Sequence, residues 1–325
     1  MKLSVIIPIF NEEENIRPMF EELKAVLDTL GSEYEIIFVD DGSTDSSLQL
    51  LEQVAEECDQ VVVVSFRRNF GQTAAMAAGF DYASGGIIVT MDGDMQNDPH
   101  DIPKLLATME QGYDLVSGWR FDRQDRFLSR RLPSMIANKI ISVVTGVHLH
   151  DYGCTLKAFQ REITDGLRLY GEMHRFIPAI ASGLGSRITE IKVNHRPRRF
   201  GTSKYGISRT IRVILDLITV KFLLSYATRP LQVFGMLGVF SGGLGTLIFV
   251  LLVIQRQFFN IPLANRPLFL LAILLIFMGL QFISLGLLGE MQARTYHESQ
   301  GKPIYAVRRV ITAQTTRNHT SSPEA

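Results

Sequence analysis

Ile87-Ile-Val-Thr-Met-Asp92-Gly-Asp94-Met-Gln96-Asn-Asp98 is a stretch in which an apolar run stops abruptly at two carboxylates one residue apart. The run from Gly86 to Met91 reads as a short strand buried on both faces. Asp and Gly are common turn residues, so a polar turn after the strand is the plain reading. Two carboxylates at the end of a buried strand are also what a divalent cation carrying a nucleotide diphosphate requires. The choice depends on what else the chain brings to the same place.

Upstream, strand and helix patterns alternate. Leu3 to Phe10 is apolar and β-branched, and Asn11 then opens an acidic helix start. Tyr34 to Val39 is a second strand, stopped by Asp40-Asp41-Gly-Ser-Thr-Asp45. Val61 to Phe66 is a third strand, and Gly71 to Ala83 an alanine-rich helix. Such alternation predicts an α/β domain with a mostly parallel sheet and helices on both faces. In open α/β sheets ligands bind at the carboxyl edge of the strands. Polar clusters follow strands one, two and four, so Asn11–Glu14, Asp40–Asp45 and Asp92–Gln96 are expected to converge there. Asp45 fits a helix cap better than a ligand.

Downstream, Asp114 to Gly118 is a further strand, and residues 150–160 read as loop and then strand. The segment 120–131 is rich in arginine, and a second basic cluster, Arg196 to Lys204, follows a strand at Ile188 to Asn194. Helices are expected over Pro133–Thr145 and Arg175–Leu184. His148, His150 and His174 have no metal-type spacing, and Trp119 reads as packing. The two cysteines, Cys58 and Cys154, form no metal motif and demand no oxidising compartment.

The last third is different. Leu231–Ile254 and Pro267–Gly289 are uncharged runs of 24 and 23 residues, enough to span a bilayer as helices. Gly238, Gly242, Gly243 and Gly245 suit close helix packing in lipid. Two arginines sit in the connection, against eight basic residues flanking the outer ends. That asymmetry places the large domain and the C-terminus in the cytoplasm. The expected organisation is a domain over 1–206, amphipathic juxtamembrane helices over 207–229, a transmembrane hairpin over 230–290 and a tail over 291–325. The tail from about Thr312 reads as disordered. Balanced charge, with 33 basic and 33 acidic residues, gives no case for nucleic acid as partner.

Ser4-Val-Ile-Ile-Pro-Ile-Phe-Asn11-Glu12, Asp40-Asp41-Gly-Ser-Thr-Asp45 and Asp92-Gly-Asp94-Met-Gln96 together resemble the inverting family 2 glycosyltransferases of GT-A (Rossmann-like) fold. The resemblance covers roughly the first 220 residues. With the C-terminal hairpin the chain is similar to the polyprenyl-phosphate glycosyltransferases, such as the bactoprenol glucosyltransferases and dolichyl-phosphate mannose synthases. The resemblance implies that Pro8, Asn11 and Glu12 line a nucleobase and ribose pocket, with Asp40 or Asp41 reading uracil or ribose. It implies that Asp92, Asp94 and Gln96 hold Mg²⁺ or Mn²⁺ on the donor diphosphate. Arg120, Arg130 or Arg131, and Ser134 would bind the acceptor phosphate. Arg198, Ser203 and Lys204 match a motif that closes over the phosphates, and Asp151 an acidic position near the transferred sugar.

The implied function is inverting transfer of a hexose, glucose first, from a UDP-sugar to undecaprenyl or another polyprenyl phosphate at the bacterial inner membrane. The product would serve cell-envelope glycosylation. Mannose, galactose and aminoarabinose are alternative sugars. Asp94, Asp151 and Arg120 are the expected catalytic residues. Membrane lipid is an expected partner, and self-association is expected because two spans offer little surface to enclose a lipid. A processive polysaccharide synthase is excluded, since its Gln-x-x-Arg-Trp motif cannot be built around the single Trp119. A dinucleotide oxidoreductase lacks its glycine-rich loop after strand one. A membrane-tethered nucleotide-sugar sensor is the non-enzymatic alternative.

Overall fold

The computed structural model describes residues 2–121, 138–139, 141–143, 145–171, 173–197, 218–220 and 304–313, with single helical positions between 277 and 295. Among these, eight strands form one sheet in the order β7-β5-β6-β4-β1-β2-β3-β8. The strands are Leu3–Ile9 (β1), Tyr34–Asp40 (β2), Val61–Phe66 (β3), Ile87–Thr90 (β4), Leu115–Arg120 (β5), Lys157–Gln160 (β6), Ile188–Val193 (β7) and Val307–Thr312 (β8). The helices are Glu13–Asp28 (α1), Ser47–Glu57 (α2), Gln72–Tyr82 (α3), Ile102–Met109 (α4), Arg161–Gly166 (α5) and Ile177–Gly183 (α6).

The four central strands, β4-β1-β2-β3, are parallel to one another. β5 and β7 are also parallel, whereas β6 runs against β4 and β5, and β8 against β3. The sheet is therefore mixed. The expected parallel pattern describes its centre, where strand–helix alternation continues, and fails at both flanks, where strands enter by other routes.

The central strands β1 to β4 are largely apolar because both faces are covered. Leu3, Val5, Ile7 and Ile9 of β1 join Ile16, Met19, Phe20 and Leu23 of α1, Leu51 and Val54 of α2 and Leu105 of α4 in one core. The alternate residue Ile6 points to the opposite face, where α3 lies against it. The approach is close: a Cβ added at Gly79 would sit 2.2 Å from Ile6 Cγ2. This contact fixes the height of α3 above the sheet, and the first turn of α3 contributes to the candidate site.

β8 is an element that the sequence reading did not foresee. Its alternation is weak, and it follows the apolar runs by only a short polar stretch. Tyr305 stacks on Phe66 with ring centroids 5.1 Å apart, and its hydroxyl donates to Asp81 at 2.6 Å. Arg67 N donates to Ala306 O, and Arg309 pairs with Glu52. The sheet belongs to a compact unit of Met1–Val220 and Pro303–Ala325, and Lys221–Lys302 form a second unit.

No helix among the described residues is long and apolar enough to cross a membrane. The runs 231–254 and 267–289 fall almost wholly outside those residues, as do most of 207–229 and the tail beyond 313; of the helix expected over 133–145, residues 138–139, 141–143 and 145 are described and are helical.

Replacing Gly79 by Val forces α3 away from β1. Overpacking of this kind costs about 1–3 kcal/mol. Denaturant unfolding of the purified protein is expected to show a lower midpoint, and an unchanged midpoint would contradict the close packing.

Candidate functional site

The carboxyl ends of β1, β2 and β4 are tied together by their own backbone. Asp41 N donates to Ile9 O at 2.8 Å, and Met91 N to Ile6 O at 3.1 Å. This registration brings three acidic turns to one edge. A cleft of ≈ 250 Å³ opens there, lined by Pro8, Glu12, Asp41, Asp92 and Asp94 of the expected residues. Asn69, Gly71, Gln72 and Ala75, from the β3 exit and the start of α3, complete the wall.

Two of the turns hold non-glycine residues in the left-handed region, Asn11 at φ 53° and Met95 at φ 59°. Such backbone persists only where the surroundings over-determine it. Around Asn11 they do: its N donates to Ser43 Oγ at 3.0 Å, and its side-chain oxygen accepts from Thr44 N at 2.8 Å. Asn11 thus joins the first turn to the second, and Glu12 N adds a bond to Ser47 Oγ. Asp45 accepts from Ser47 N at 3.0 Å, the capping role read from the sequence.

Asp40 and Asp41 divide the work between them. Asp40 is buried and accepts from Ser43 N and Ser65 Oγ, so it builds the turn. Asp41 faces the cleft and accepts from Phe70 N (2.6 Å) and Gly71 N (2.9 Å). Burial pushes the Asp41 carboxyl up from 3.8 to about 6, with the Asp40 charge adding to the rise and the two N–H groups opposing it. Gly42 between them and Ser43 has φ 69°, and a Cβ there would meet Arg68 C at 2.5 Å. Only glycine fits that turn.

Asp92 is clasped from two sides. Gln72 Nε2 donates to one carboxylate oxygen at 2.8 Å and Thr155 Oγ1 to the other at 2.6 Å. Asn97 Oδ1 accepts from Asp92 N, closing the turn. Burial and the adjacent Asp94 charge push Asp92 up, while Thr155, Arg120 and Lys157 oppose the rise. Asp94 is 7% exposed and accepts from Gln96 N at 3.1 Å. The Gln96 side chain reaches Arg196 O at 3.4 Å, and Arg196 N donates to Gln96 O. The second basic cluster therefore starts from a segment fastened to the acidic turn.

Arg120 and Asp151 form a bidentate pair, Nε to Oδ2 at 2.6 Å and NH2 to Oδ1 at 2.9 Å, largely out of solvent. Burial works against the Arg120 charge, but the Asp151 carboxylate outweighs it and holds the guanidinium above its ordinary range. Among the described residues, Arg120 is thus placed as the partner of Asp151 beside Asp92. Arg130, Arg131, Ser134, Arg198, Ser203 and Lys204 lie outside the described residues.

Hard cations prefer oxygen donors, commonly one or two carboxylates plus substrate phosphate. Asp92 and Asp94 supply that set at the cleft, so the residues fit Mg²⁺ or Mn²⁺. A second group, Glu22, Asp98 and His100, also brings ligand-type atoms together. There Arg196 NH2 already sits 2.8 Å from both Glu22 and Asp98, and supplies the positive charge itself. His150 stacks on Trp119 with centroids 4.1 Å apart, and buried His174 meets Thr73 Oγ1 at 2.7 Å. Burial, with Arg175 and Lys157 nearby, lowers His174 to about 3, so it is neutral.

The sequence reading missed Asn69, Gln72, Asn97 and Thr155. Asn69 and Gln72 stand at the exit of β3, where the same strand-end rule applies. Asn97 lies inside the motif itself. Thr155 follows a loop with no pattern of its own.

The model of Glycosyl transferase family 2 matches residues 4–168. The chain is 45% identical over 97% of its length to the dodecaprenyl-phosphate galacturonate synthase of Rhizobium johnstonii, covering 94% of that protein. It is 39% identical over 98% of its length to the undecaprenyl-phosphate 4-deoxy-4-formamido-L-arabinose transferase of Yersinia pestis, covering 96% of that protein. Among solved structures, glucosyl-3-phosphoglycerate synthase from Mycobacterium tuberculosis in complex with Mn²⁺, uridine diphosphate and phosphoglyceric acid is similar in fold. The TM-score is 0.53 at 20% identity, over 69% of this chain and 78% of that one.

Asp151→Ala strands a buried guanidinium, and breaking such a pair costs about 3–5 kcal/mol. Denaturant titration is expected to show that loss, and a loss under about 1 kcal/mol would contradict the burial of the pair. A second expectation concerns pH. Asp41 takes up its proton more readily in the folded state, so its contribution to stability is fully present below 3.8 and is lost as pH rises through about 6. Asp41→Asn is expected to remove that part of the decline in a pH series of unfolding midpoints, and an unaltered pH profile would count against it.

Proposed function

Because the chain belongs to glycosyl transferase family 2 and is a glycosyltransferase, we propose that it transfers a sugar from a UDP-sugar to a polyprenyl phosphate at a membrane. The observation that carries this reading is the convergence of Asp41, Asp92 and Asp94 in one cleft. In this reading Asp41 reads the nucleoside, and the Asp92–Asp94 turn holds a metal-bound diphosphate. The similarity to polyprenyl-phosphate sugar transferases over nearly the whole chain supports the acceptor class.

The relatives change the sugar. Glucose was the first expectation from the sequence, whereas the relatives are named for galacturonate and 4-deoxy-4-formamido-L-arabinose. We assign the donor to that group, galacturonate first.

The acceptor is a phosphate monoester, with a second pKa near 6, and is largely ionised at neutral pH. It is a nucleophile without a strong base. Its oxygen attacks the anomeric carbon, the bond from that carbon to the diphosphate oxygen breaks, and the configuration inverts. Asp94 and Asp92 would hold a Mg²⁺ or Mn²⁺, which would supply stabilisation of the charge developing on the departing diphosphate. Asp94 would ligate it, and Asp92, whose two oxygens carry the Gln72 and Thr155 bonds, would act beside it. Arg120, oriented by Asp151, brings positive charge to the edge where two anions must meet. Arg130, Arg131, Ser134, Arg198, Ser203 and Lys204 are proposed for the acceptor and donor phosphates. Arginine suits phosphate because its fork binds two oxygens at once.

β8 supports the hairpin reading. A chain that leaves the domain after residue 220 and re-enters its sheet at 307 must cross a bilayer an even number of times. The two apolar runs and the charge bias of the flanks are what lead us to read two spans, a cytoplasmic domain and a location in the inner membrane. Self-association remains part of the proposal.

The test is turnover by detergent-extracted protein with polyprenyl phosphate, Mn²⁺ or Mg²⁺ and a panel of UDP-sugars. A lipid-linked galacturonate or aminoarabinose-type sugar is expected, and Asp94→Asn is expected to lower its rate about 10²-fold or more, the scale of several kcal/mol. Transfer of glucose alone would overturn the sugar assignment. No lipid-linked sugar from any donor would overturn the function.

A further inference from the structure

Lys157 has no part in the transfer as described. It lies in β6, paired with Thr90 of β4 and Ser117 of β5, and is 2% exposed. Its ammonium donates to the main-chain carbonyls of Cys154 and, at 3.5 Å, Tyr152. Those carbonyls belong to the loop 151–155, in which Asp151 holds Arg120 and Thr155 Oγ1 holds Asp92. Carbonyl oxygens satisfy an ammonium but do not neutralise it. Burial accordingly pulls Lys157 down from its ordinary range, with the Asp151 and Asp92 carboxylates among the groups acting against that. A neutral side chain of similar length would fill the space without the desolvation of a charge.

We propose that Lys157 is a positioning residue of the donor site. Its ammonium holds the 151–155 loop by two main-chain carbonyls and sets one positive charge within electrostatic reach of Asp92 and Asp151. The inference rests on the donor-site reading above. With Asp92, Asp94 and Asp151 set against Arg120 and Lys157, the site stays attractive to a cation while the background seen by an arriving diphosphate is less negative. Removing the Lys157 charge therefore has opposite effects on the two ligands. A free metal ion binds as well or better, and the nucleotide binds the metal-loaded protein less well. One charge at an effective dielectric near 20 shifts the affinity of a nearby ionic ligand on the order of tenfold.

The experiment uses the full-length protein in detergent, with Lys157→Gln and Lys157→Arg beside the wild type. Mn²⁺ binding is read by electron paramagnetic resonance, UDP binding at saturating Mn²⁺ by calorimetry, and folding by the thermal midpoint. For Lys157→Gln, Mn²⁺ affinity is expected to hold or rise while UDP affinity falls about tenfold; Lys157→Arg is expected to stay near wild type. Parallel weakening of both ligands, or no change in either, overturns the inference. If Lys157→Gln does not fold, Lys157→Met, a neutral side chain of similar length, is measured in its place. A selective loss of UDP affinity at unchanged or higher Mn²⁺ affinity supports the inference, and parallel loss or no change overturns it. A wild type that binds neither Mn²⁺ nor UDP fails differently: it removes the donor-site reading, and this inference with it.

Discussion

The half-buried Asp92 carboxylate at the end of β4, on the wall of the cleft, is the constraint that the rest of the site answers. A carboxylate taken out of water is costly unless it is hydrogen-bonded and matched by charge. Four separate segments supply the match. Gln72 comes from the first turn of α3, Thr155 from the loop before β6, Asn97 from the turn itself, and Arg120 from the end of β5. The close packing of Gly79 on Ile6 sets where Gln72 stands, and the β5–β6 pairing sets where Arg120 and Thr155 stand. The architecture of the sheet is thus read out at one carboxylate.

The same constraint explains why the site sits at this edge. Parallel central strands deliver all their turns to one side. Asn11 then stitches the first turn to the second, and Asp41 stitches the second to the start of α3. The left-handed backbone at Asn11 and Met95 is retained because these bonds hold it. An acidic cleft of this build repels a bare nucleotide diphosphate, which is the physical reason for the proposal that metal and donor bind together.

Much of this was legible in the sequence. Strand–helix alternation predicted β1 to β4 and α1 to α3, because apolar patterning in the strands, α1 and α2 and the alanine-rich composition of α3 are local signals. The strand-end rule predicted that Asp41, Asp92 and Asp94 share a cleft, although their motifs are far apart in the chain. What it did not predict depends on long-range pairing. β6 enters antiparallel between β4 and β5 and carries Thr155 to Asp92 across more than sixty positions of sequence. β8 joins β3 from the far end of the chain, and its stability comes from Tyr305 on Phe66 and Arg309 on Glu52 rather than from its own pattern. The choice between Asp40 and Asp41 was also beyond sequence: neighbours in the chain point to opposite faces of a strand end, and only the fold says which faces the cleft.

The most direct test of the central claim is the position of the metal. Anomalous diffraction at the manganese edge, from crystals grown with Mn²⁺ and UDP, is expected to place the ion beside the Asp94 carboxylate, in the cleft lined by Asp41 and Asp92. UDP bound there without an ion, or an ion found at Glu22, Asp98 and His100 instead, would contradict it.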